Sequence, residues 1–254
     1  MDKQFKNYLN PLLKGENLSS LEMKSLMNLI MTGKLSPAQI ASCIVALQIK
    51  GIISDEIACA ASVMREHSNK VNIKDCKHLI DTCGTGGDSL QTFNVSTLSA
   101  IVAAAAGAKV AKHGGRSVSS KCGSADVLET FGVNVNLDHK GLGKLVDTIG
   151  IGFMFAPNYH PAMKYVAPVR KELEVRTIFN LLGPLTNPAS AKRQIVGVYS
   201  KELTLTFAEV LKKLGSEHVL VVHGADGMDE ISITGKTFIA ELKNNVINEY
   251  TIDP

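Results

Sequence analysis

The spacing of apolar residues changes near residue 70, and this change constrains the possible folds more than any other feature of the 254-residue sequence. From residue 5 to about 68, apolar residues recur three and four positions apart, which is typical of amphipathic helices. The tetrapeptide Ser36-Pro37-Ala38-Gln39 matches a capping box with proline at the first helical position. The sequence therefore predicts an N-terminal helical segment.

Beyond residue 70, short apolar runs alternate with helix-length segments, which is the order expected of an α/β domain. The predicted strands span 78–82, 108–111, 149–155, 194–199, 218–223, 237–242 and 246–252. The predicted helices between them span 94–106, 125–131, 137–148, 161–174 and 202–214. A chain of this length forms one large core, or one core with a small satellite domain.

The charge balance argues against a nucleic-acid partner. The 27 Lys and Arg residues against 24 Asp and Glu residues leave a formal net charge of +3, far below the basic excess of a dedicated nucleic-acid-binding protein. Tryptophan is absent and only 5% of the residues are aromatic, which leaves little surface for stacking bases. This balance is still compatible with a small anionic ligand.

The cysteines and the apolar runs indicate the cellular compartment. Cys43, Cys59, Cys76, Cys83 and Cys122 have spacings that fit neither a disulfide framework nor a zinc site. The longest weakly polar run, 95–108, is shorter than the ~20 residues of a membrane-spanning helix, and no signal peptide is evident. We therefore expect a protein of the reducing cytoplasm with no membrane partner.

Residues 80–88, Ile-Asp-Thr-Cys-Gly-Thr-Gly-Gly-Asp, are a predicted strand that runs into a glycine-dense turn. Gly84, Gly86 and Gly87 permit positive φ angles and allow several backbone N–H groups to converge on one anion. Asn94 is the predicted N-cap of the next helix, whose N-terminus adds partial positive charge. The glycine spacing matches neither a dinucleotide fingerprint nor a Walker loop. We predict a phosphate-binding turn; the alternative is a strand-to-helix turn without a ligand.

Two further segments fit an anion and a metal ion. Residues 112–121 combine glycines, cations and hydroxyls, which are suited to binding phosphate oxygens. The alternative is a solvated basic loop. Ser124 is the predicted N-cap of the helix that follows. Asp229 and Glu230 follow a predicted strand and offer the hard oxygen ligands that Mg²⁺ prefers, the alternative being a solvated turn. His113 and His223 lack partners at zinc spacing.

Taken in order, these motifs resemble the anthranilate phosphoribosyltransferase family. The matching stretches are GTGGD (84–88), NVST (94–97), KHGGRSVSS (112–120), GSADVLE (123–129), FMFAPNYHPAMKYVAPVRKEL (153–173), RTIFNLLGPLTNP (176–188) and VHGADGMDEIS (222–232). The resemblance implies a small helical domain, 1–70 with a contribution from about 165–190. It also implies a large α/β domain, 71–254, with a central mixed, mostly parallel sheet, and a homodimer joined through the helical domains.

The resemblance implies transfer of the 5-phosphoribosyl group from 5-phospho-α-D-ribose 1-diphosphate (PRPP) to the amino group of anthranilate, with Mg²⁺, in tryptophan biosynthesis. It places around PRPP the residues Gly84, Gly87, Asp88, Thr92, Asn94, Val95, Ser96, Thr97, Lys112, His113, Gly114, Gly115, Arg116, Ser117, Val118, Ser119, Ser120 and Ser124. It assigns Mg²⁺ to Ser96, Asp229 and Glu230, and anthranilate to Gly84, His113, Gly115 and Arg170. No residue is assigned as a certain catalytic acid or base.

These assignments fit a displacement at the anomeric carbon with inversion, in which stabilising the departing pyrophosphate is the main task. Mg²⁺, backbone N–H groups, Lys112 and Arg116 would meet the developing charge. The amine of anthranilate is neutral at pH 7, so no strong base is needed, and His113 is expected only to line and orient the acceptor. Arg170 can form a two-point fork with the anthranilate carboxylate.

Several positions depart from the family pattern, which usually has Asn at Gly115 and has Gly, His, His and Gly at Ser89, Tyr159, Tyr165 and Glu174. The loss of one neutral hydrogen bond at Gly115 is expected to weaken acceptor binding by up to roughly tenfold. The chain is also expected to lack the C-terminal part of the family's α/β domain and to expose apolar surface.

Two alternative functions remain at this point. One is a pyrimidine nucleoside phosphorylase, which shares the fold and a similar glycine turn; the Asp229-Glu230 pair favours a diphosphate donor instead. The other is a non-catalytic nucleic-acid-binding relative or an inactive fragment. The intact GTGGD, NVST and Asp-Glu motifs, with a net charge of only +3, favour the transferase.

Overall fold

The computed structural model describes residues 3–88, 90, 92–116 and 122–254, in which the chain forms two compact units. The first contains the chain up to Ser68 together with His160–Thr186, and the second contains Asn69–Tyr159 and Asn187–Pro254. The backbone therefore passes from one unit to the other after Ser68, after Tyr159 and after Thr186.

The order of helices and strands matches the predicted change of pattern. The helices are α1 (Lys3–Leu13), α2 (Ser20–Met31), α3 (Pro37–Lys50), α4 (Ser54–Glu66), α5 (Val95–Ala105), α6 (Ser124–Thr130), α7 (His139–Ile149), α8 (Ala156–Tyr159), α9 (Ala167–Leu173), α10 (Phe179–Leu182) and α11 (Leu203–Lys213), with 3-10 turns at Pro161–Tyr165 and Gly183–Leu185. The strands are β1 (Leu79–Asp81), β2 (Lys109–Gly114), β3 (Ile151–Phe155), β4 (Arg193–Gly197), β5 (His218–Gly224), β6 (Thr237–Lys243) and β7 (Val246–Ile252). Each predicted strand is confirmed to within a few residues.

In the described part of the chain, no helix is both long and apolar enough to cross a membrane.

The predicted single helix over 161–174 is wrong. The segment forms a 3-10 turn over Pro161–Tyr165 and then α9, which has Pro168 in its first turn. Proline has no N–H to donate to the preceding turn, so a helix can begin at this position but cannot run through it. At the other end, Glu174 adopts a left-handed conformation with φ of 51° and ends α9.

The N-terminal helices pack through their apolar stripes, as the spacing predicted. Helix α2 contacts α4 and helix α1 contacts α3, and both Met23 and Ile57 are almost completely buried. The predicted capping box is confirmed: the Ser36 hydroxyl accepts the Gln39 N–H at 3.3 Å, and Gln39 Oε1 accepts the Ser36 N–H at 2.9 Å. Local capping and apolar packing therefore specify the same four helices.

A buried ion pair joins the turn between α1 and α2 to the turn between α3 and α4. Lys50 Nζ lies 2.8 Å from Glu56 Oε2, and the two side chains are 2% and 0% exposed. Lys50 Nζ also donates to Asn17 Oδ1 at 2.7 Å and to the Gly51 carbonyl at 2.8 Å. Glu56 Oε1 in turn accepts the Leu18 N–H at 3.0 Å. Because partners within the chain surround both charges, the pair can remain buried.

The second unit is built on a seven-stranded sheet in the order β3-β2-β1-β4-β5-β6-β7. The five strands β1 to β5 are parallel, whereas β6 and β7 are antiparallel to their neighbours. Helix α7 covers one face, where Val146 and Leu142 pack with Leu79 and Met154 of the sheet. The expected fold class, a helical part beside an α/β domain with a mixed and mostly parallel sheet, is confirmed.

One side of α5 remains uncovered within the second unit. Leu98, Ile101 and Val102 are 50%, 44% and 59% exposed. Large apolar side chains grouped on a helix face are normally covered in a soluble protein. The expectation of exposed apolar surface is confirmed for this helix.

Replacing Glu56 with alanine tests the buried ion pair. The substitution leaves the Lys50 ammonium buried without a counter-charge, and breaking such a pair costs about 3–5 kcal/mol of unfolding free energy. We expect a correspondingly lower urea midpoint in unfolding followed by far-UV circular dichroism. Glu66→Ala, an exposed glutamate on the same helix, is the control and should change stability by less than about 0.5 kcal/mol. Equal midpoints for the two variants would contradict the role of the pair.

Candidate active site

The loops that follow four parallel strands meet at one edge of the sheet. Turn 84–88 follows β1, residues 115 and 116 follow β2, residues 198–202 follow β4 and turn 225–236 follows β5. The strand order reverses between β1 and β4, because β2 lies on one side of β1 and β4 lies on the other. Such a reversal opens a crevice at the carboxyl ends of the strands, where α/β proteins bind ligands.

The glycine turn after β1 is fastened to the end of β4. Gly86 and Gly87 have φ angles of 64° and 83°, as the glycine-dense sequence predicted. The Thr85 N–H donates to the Gly197 carbonyl at 2.8 Å, and the Thr85 hydroxyl donates to the same oxygen at 3.3 Å. The Tyr199 N–H donates to the Thr85 hydroxyl at 3.2 Å. These three bonds hold the turn in one position at the crevice.

Helix α5 begins beside this turn, and the predicted N-cap position of Asn94 is confirmed. Asn94 occupies the N-cap position without a capping bond from its side chain, and its Nδ2 instead donates to the Cys122 carbonyl at 3.1 Å. The first N–H groups of α5 therefore receive no bond from that side chain. Val95 and Ser96 lie in this first turn, and the Thr82 hydroxyl donates to the Ser96 carbonyl at 2.8 Å. Thr92 is exposed just before the helix.

The predicted N-cap role of Ser124 is wrong. Helix α6 is capped by Gly123, whose N–H donates to Asp126 Oδ2 at 2.8 Å, so Ser124 is already the first helical residue. The Ser124 hydroxyl instead accepts a hydrogen bond from the Thr97 hydroxyl at 2.9 Å. Because the Asp126 carboxylate accepts the N–H at the start of α6, the Ser124 hydroxyl can bond to the Thr97 hydroxyl and so join α6 to α5.

Lys112 brings a positive charge to the start of α5. The residue is only 3% exposed, and its Nζ donates to Ser96 Oγ at 3.2 Å and to the Thr82 carbonyl and hydroxyl at 3.3 Å each. An ammonium has three donors, and these acceptors can use all of them. The lysine predicted from the 112–121 motif is therefore held in a fixed position beside the start of α5.

Asp81 and Asn187 support this arrangement, and the sequence analysis singled out neither. Asp81 is completely buried; its Oδ1 accepts the His113 N–H at 3.0 Å and its Oδ2 accepts Asn187 Nδ2 at 2.7 Å. Asn187 Nδ2 also donates to the Ala111 carbonyl at 2.9 Å. Burial raises the pKa of Asp81, while the nearby Lys112 charge and these hydrogen bonds oppose that change. The only local signal was a carboxylate at the end of an apolar strand, "LID".

The half-buried carboxylates of Asp229 and Glu230 lie near the glycine turn and the start of α5. A Cβ at Gly84 would lie 3.5 Å from Asp229 Oδ2, and the backbone N–H groups of Gly86 and Ser96 lie close enough to Asp229 and Glu230, respectively, to act against the rise in their pKa. Burial and the neighbouring Asp88 raise the pKa of Asp229 to about 6. Burial and the neighbouring Asp229 raise the pKa of Glu230 to about 7. The structure thus brings the Ser96, Asp229 and Glu230 of the predicted metal site together.

The donor set fits a hard divalent cation. Oxygen atoms of Asp229, Glu230 and Ser96 are the ligand type that Mg²⁺ prefers. The negative charge of Asp88 beside Asp229 adds to the repulsion between carboxylates, which a bound cation would relieve. Over the described ranges, no three His, Cys, Asp or Glu side chains are arranged to hold a metal ion on their own. Mg²⁺ commonly takes only one or two carboxylates and completes its shell with phosphates and water.

Arg116 does not point a free charge at the crevice. Its guanidinium lies 2.6 Å from Asp126 Oδ1 and 2.7 Å from Glu129 Oε2, both on α6. Hydrogen bonds that Arg116 donates to Glu129 and Asp126 raise its pKa further. This pairing compensates the charge of Arg116 locally, and the expected contact of Arg116 with pyrophosphate stays a prediction. The predicted residues Ser117, Val118, Ser119 and Ser120, and the departure at Ser89, lie outside the described residues.

The remaining acceptor residues fall into both units. His113 is 2% exposed, and Gly114 leaves no room for a side chain because a Cβ there would lie 2.8 Å from the Phe153 ring. A Cβ at Gly115 would meet no atom within 4 Å, so a larger side chain would have room at this position. Arg170 belongs to the helical unit, on α9, and burial lowers its pKa.

Comparisons with known proteins agree with this geometry. Residues 76–254 match the family described as "Glycosyl transferase family, a/b domain", and residues 6–68 match "Glycosyl transferase family, helical bundle domain". The anthranilate phosphoribosyltransferase of Chromobacterium violaceum is 58% identical over 246 residues, which are 97% of this chain and 72% of that protein. The enzyme of Hydrogenovibrio crunogenus is 55% identical over 251 residues, 99% of this chain and 74% of that protein.

Solved structures give the same result. The anthranilate phosphoribosyltransferase of Thermus thermophilus superimposes with a TM-score of 0.91 at 43% identity, covering 97% of this chain and 73% of that one. The Saccharomyces cerevisiae enzyme in complex with PRPP and Mg gives a TM-score of 0.89 at 30% identity, covering 99% and 73%. The chain thus spans nearly three quarters of the length of these relatives. With its two matched domains and its identity to these enzymes, the chain belongs to the anthranilate phosphoribosyltransferase family.

Proposed function

We propose that this chain transfers the 5-phosphoribosyl group of PRPP to the amino group of anthranilate, giving N-(5-phosphoribosyl)anthranilate and pyrophosphate in tryptophan biosynthesis. The observation that carries the proposal is the meeting of a glycine turn, a buried lysine and two carboxylates at the crevice between β1 and β4. A diphosphate with its metal ion needs these three kinds of group. A nucleoside phosphorylase would not need the carboxylates.

The donor is bound through the turn 84–88 and the start of α5. The N–H groups of Gly84, Gly87 and Asp88 and the helix dipole at the N-terminus of α5 supply partial positive charge for phosphate oxygens. Lys112 supplies a full charge from a fixed position. The other donor contacts are Thr92, Asn94, Val95, Ser96, Thr97, His113, Gly114, Gly115, Ser117, Val118, Ser119, Ser120 and Ser124. In this scheme the diphosphate also contacts Arg116, whose guanidinium is held beside α6 by Asp126 and Glu129.

Ser96, Asp229 and Glu230 hold Mg²⁺ in this proposal. When bound, Mg²⁺ would neutralise charge on the diphosphate and so make pyrophosphate a better leaving group. Ser96 lies next to both charges of the site, since its hydroxyl accepts a hydrogen bond from Lys112 and its backbone N–H lies near the Glu230 carboxylate. The cation and the carboxylates of the proposed site therefore come together at this residue.

Reaction requires positioning more than acid–base chemistry. The amine of anthranilate attacks as a neutral nucleophile, and the glycine turn, Lys112 and the α5 N-terminus stabilise the negative charge of the departing pyrophosphate in a preorganised site. His113 lines the acceptor side through a backbone that Asp81 holds in place. Arg170 binds the anthranilate carboxylate, and Gly115 leaves open space where a longer side chain would give a further contact.

We also propose a cytoplasmic homodimer formed through the helical unit. Leu13, Leu21 and Ile49 are 69%, 83% and 82% exposed at the ends of α1, α2 and α3. The Lys50–Asn17 and Leu18–Glu56 bonds hold those helix ends near one another. An exposed apolar surface of this kind is suited to a self-complementary interface with a second copy of the chain.

The loss of anthranilate fluorescence in the presence of PRPP and Mg²⁺ tests the activity directly. We expect turnover by the purified chain, dependent on both additions. Glu230→Gln keeps the shape of the side chain and an acceptor for the Ser96 N–H but removes the charge, so the Mg²⁺ concentration for half-maximal rate should rise about tenfold or more. Glu249→Gln, on the exposed face of β7, is the control and should titrate like the unaltered chain. An unchanged Mg²⁺ titration for Glu230→Gln would place the metal elsewhere.

Arg170→Ala tests the acceptor site in the same assay. Loss of a charge-assisted fork should raise the KM for anthranilate about 10- to 100-fold, because hydrogen bonds to charged groups contribute about 1.5–3 kcal/mol. The KM for PRPP should change little. Lys171→Ala alters the next, exposed residue of α9 and should leave both constants unchanged. A larger effect on the PRPP constant would remove Arg170 from the acceptor site.

Ile49→Glu tests the dimer by size-exclusion chromatography with light scattering. A buried, unpaired carboxylate at the centre of an apolar interface is strongly unfavourable, so the variant should run at half the mass of the unaltered chain. Leu205→Glu makes the same change at a 41% exposed leucine of α11 and should remain dimeric. A monomeric unaltered chain, or a dimeric Ile49→Glu, would contradict the proposed interface.

A further inference from the structure

We infer that Gly197, the last residue of β4, is a positioning residue that sets how closely the Asp229-Glu230 turn approaches the glycine turn 84–88. The inference rests on the proposed function, because it concerns the magnesium and donor site of that reaction. Gly197 belongs to none of the motifs that predicted the site, and it touches the site through its backbone alone.

The first observation is the absence of space at Gly197. A Cβ built on this residue would overlap the carbonyl oxygen of Asp229 and crowd the Asp229 carbonyl carbon at 2.5 Å. These are backbone atoms, so no side chain can turn away to make room. Gly197 does not have a positive φ. Glycine is therefore required here for close approach and not for an unusual backbone conformation.

The second observation is that the opposite side of Gly197 holds the glycine turn. Its carbonyl oxygen accepts the Thr85 N–H at 2.8 Å and the Thr85 hydroxyl at 3.3 Å. A Cβ at Gly84 would lie only 3.0 Å from the same oxygen. Gly197 is thus packed between the two loops and contacts both of them through main-chain atoms.

The contact between the loops themselves depends on this spacing. A Cβ at Gly84 would lie 3.5 Å from Asp229 Oδ2, so the Asp229 carboxylate packs against the glycine turn. The Glu230 carboxylate lies near the Ser96 backbone N–H at the start of α5. Since Asp229 and Glu230 are adjacent, a side chain at 197 that pushes the Asp229 backbone outward also moves the Glu230 carboxylate away from α5. Displacements of about 1 Å in a preorganised site can cost up to a hundredfold in rate.

Isothermal titration calorimetry of PRPP, with and without Mg²⁺, tests the inference through binding rather than turnover. Gly197→Ala should weaken Mg²⁺-dependent PRPP binding tenfold or more and should reduce the gain in affinity that Mg²⁺ gives. In steady-state assays the constants for PRPP and Mg²⁺ should rise while the KM for anthranilate stays within twofold. PRPP affinity within twofold of the unaltered chain, at each Mg²⁺ concentration, would overturn the inference.

Gly143→Ala is the matched control, because a Cβ at this residue of α7 would also overlap a backbone carbonyl oxygen, that of Asn72, outside the proposed site. It should lower the melting temperature and leave PRPP affinity and its Mg²⁺ dependence unchanged. An equal loss of affinity in Gly143→Ala would show that general destabilisation, and not the spacing at Gly197, weakens binding.

Thr85→Val provides the test if Gly197→Ala does not fold. Valine keeps the shape of threonine and removes the hydroxyl that bonds the Gly197 carbonyl and the Tyr199 N–H. It should weaken Mg²⁺-dependent PRPP binding about threefold or more, and unchanged binding would overturn the inference. If the unaltered chain does not bind PRPP, the proposed function itself is contradicted. If the unaltered chain and both variants bind PRPP equally well, only the role of Gly197 is contradicted.

Discussion

The buried carboxylate of Asp81 at the end of β1 is the interaction on which the site depends. One oxygen holds the backbone of β2 at His113, and the other holds Asn187, where the chain re-enters the second unit. Removing a carboxylate from water costs several kcal/mol unless hydrogen bonds and an opposite charge compensate it. The nearby Lys112 ammonium supplies that charge, so the cation proposed to bind the donor also stabilises the centre of the sheet.

The charges at the crevice do not balance in the chain alone. Lys112 brings one positive charge, while Asp88, Asp229 and Glu230 bring three carboxylates, and burial together with mutual repulsion raises the pKa of both Asp229 and Glu230. Such a site would repel a free diphosphate, which is itself an anion, but would attract a diphosphate that arrives with a divalent cation. In the proposed reaction, this excess of negative charge would favour the magnesium complex of the donor over the bare anion.

The sequence predicted the helices and strands well, because those depend on local patterns. Apolar spacing and the Ser36 capping box predicted the helices, and the glycine-dense turn predicted the positive φ angles. The pairings that join distant positions were not predictable. The Asp81–Asn187 bond spans 106 residues, and Arg116 found carboxylates on α6 that its own motif does not contain. The room available at Gly197 depends on a backbone atom of Asp229, and no local pattern records such a contact.

The passage of the backbone between the two units has a consequence for synthesis on the ribosome. The helical unit is assembled from its first 68 residues and from His160–Thr186, and α9 packs on α3 while α10 packs on α4. These late helices emerge only after β1, β2 and β3 have been made. The N-terminal helices therefore keep part of their apolar surface uncovered while β1, β2 and β3 are made. The helical unit is complete at Thr186, before β4 to β7 of the second unit are made, so the two units finish in the order in which they begin although their segments alternate along the chain.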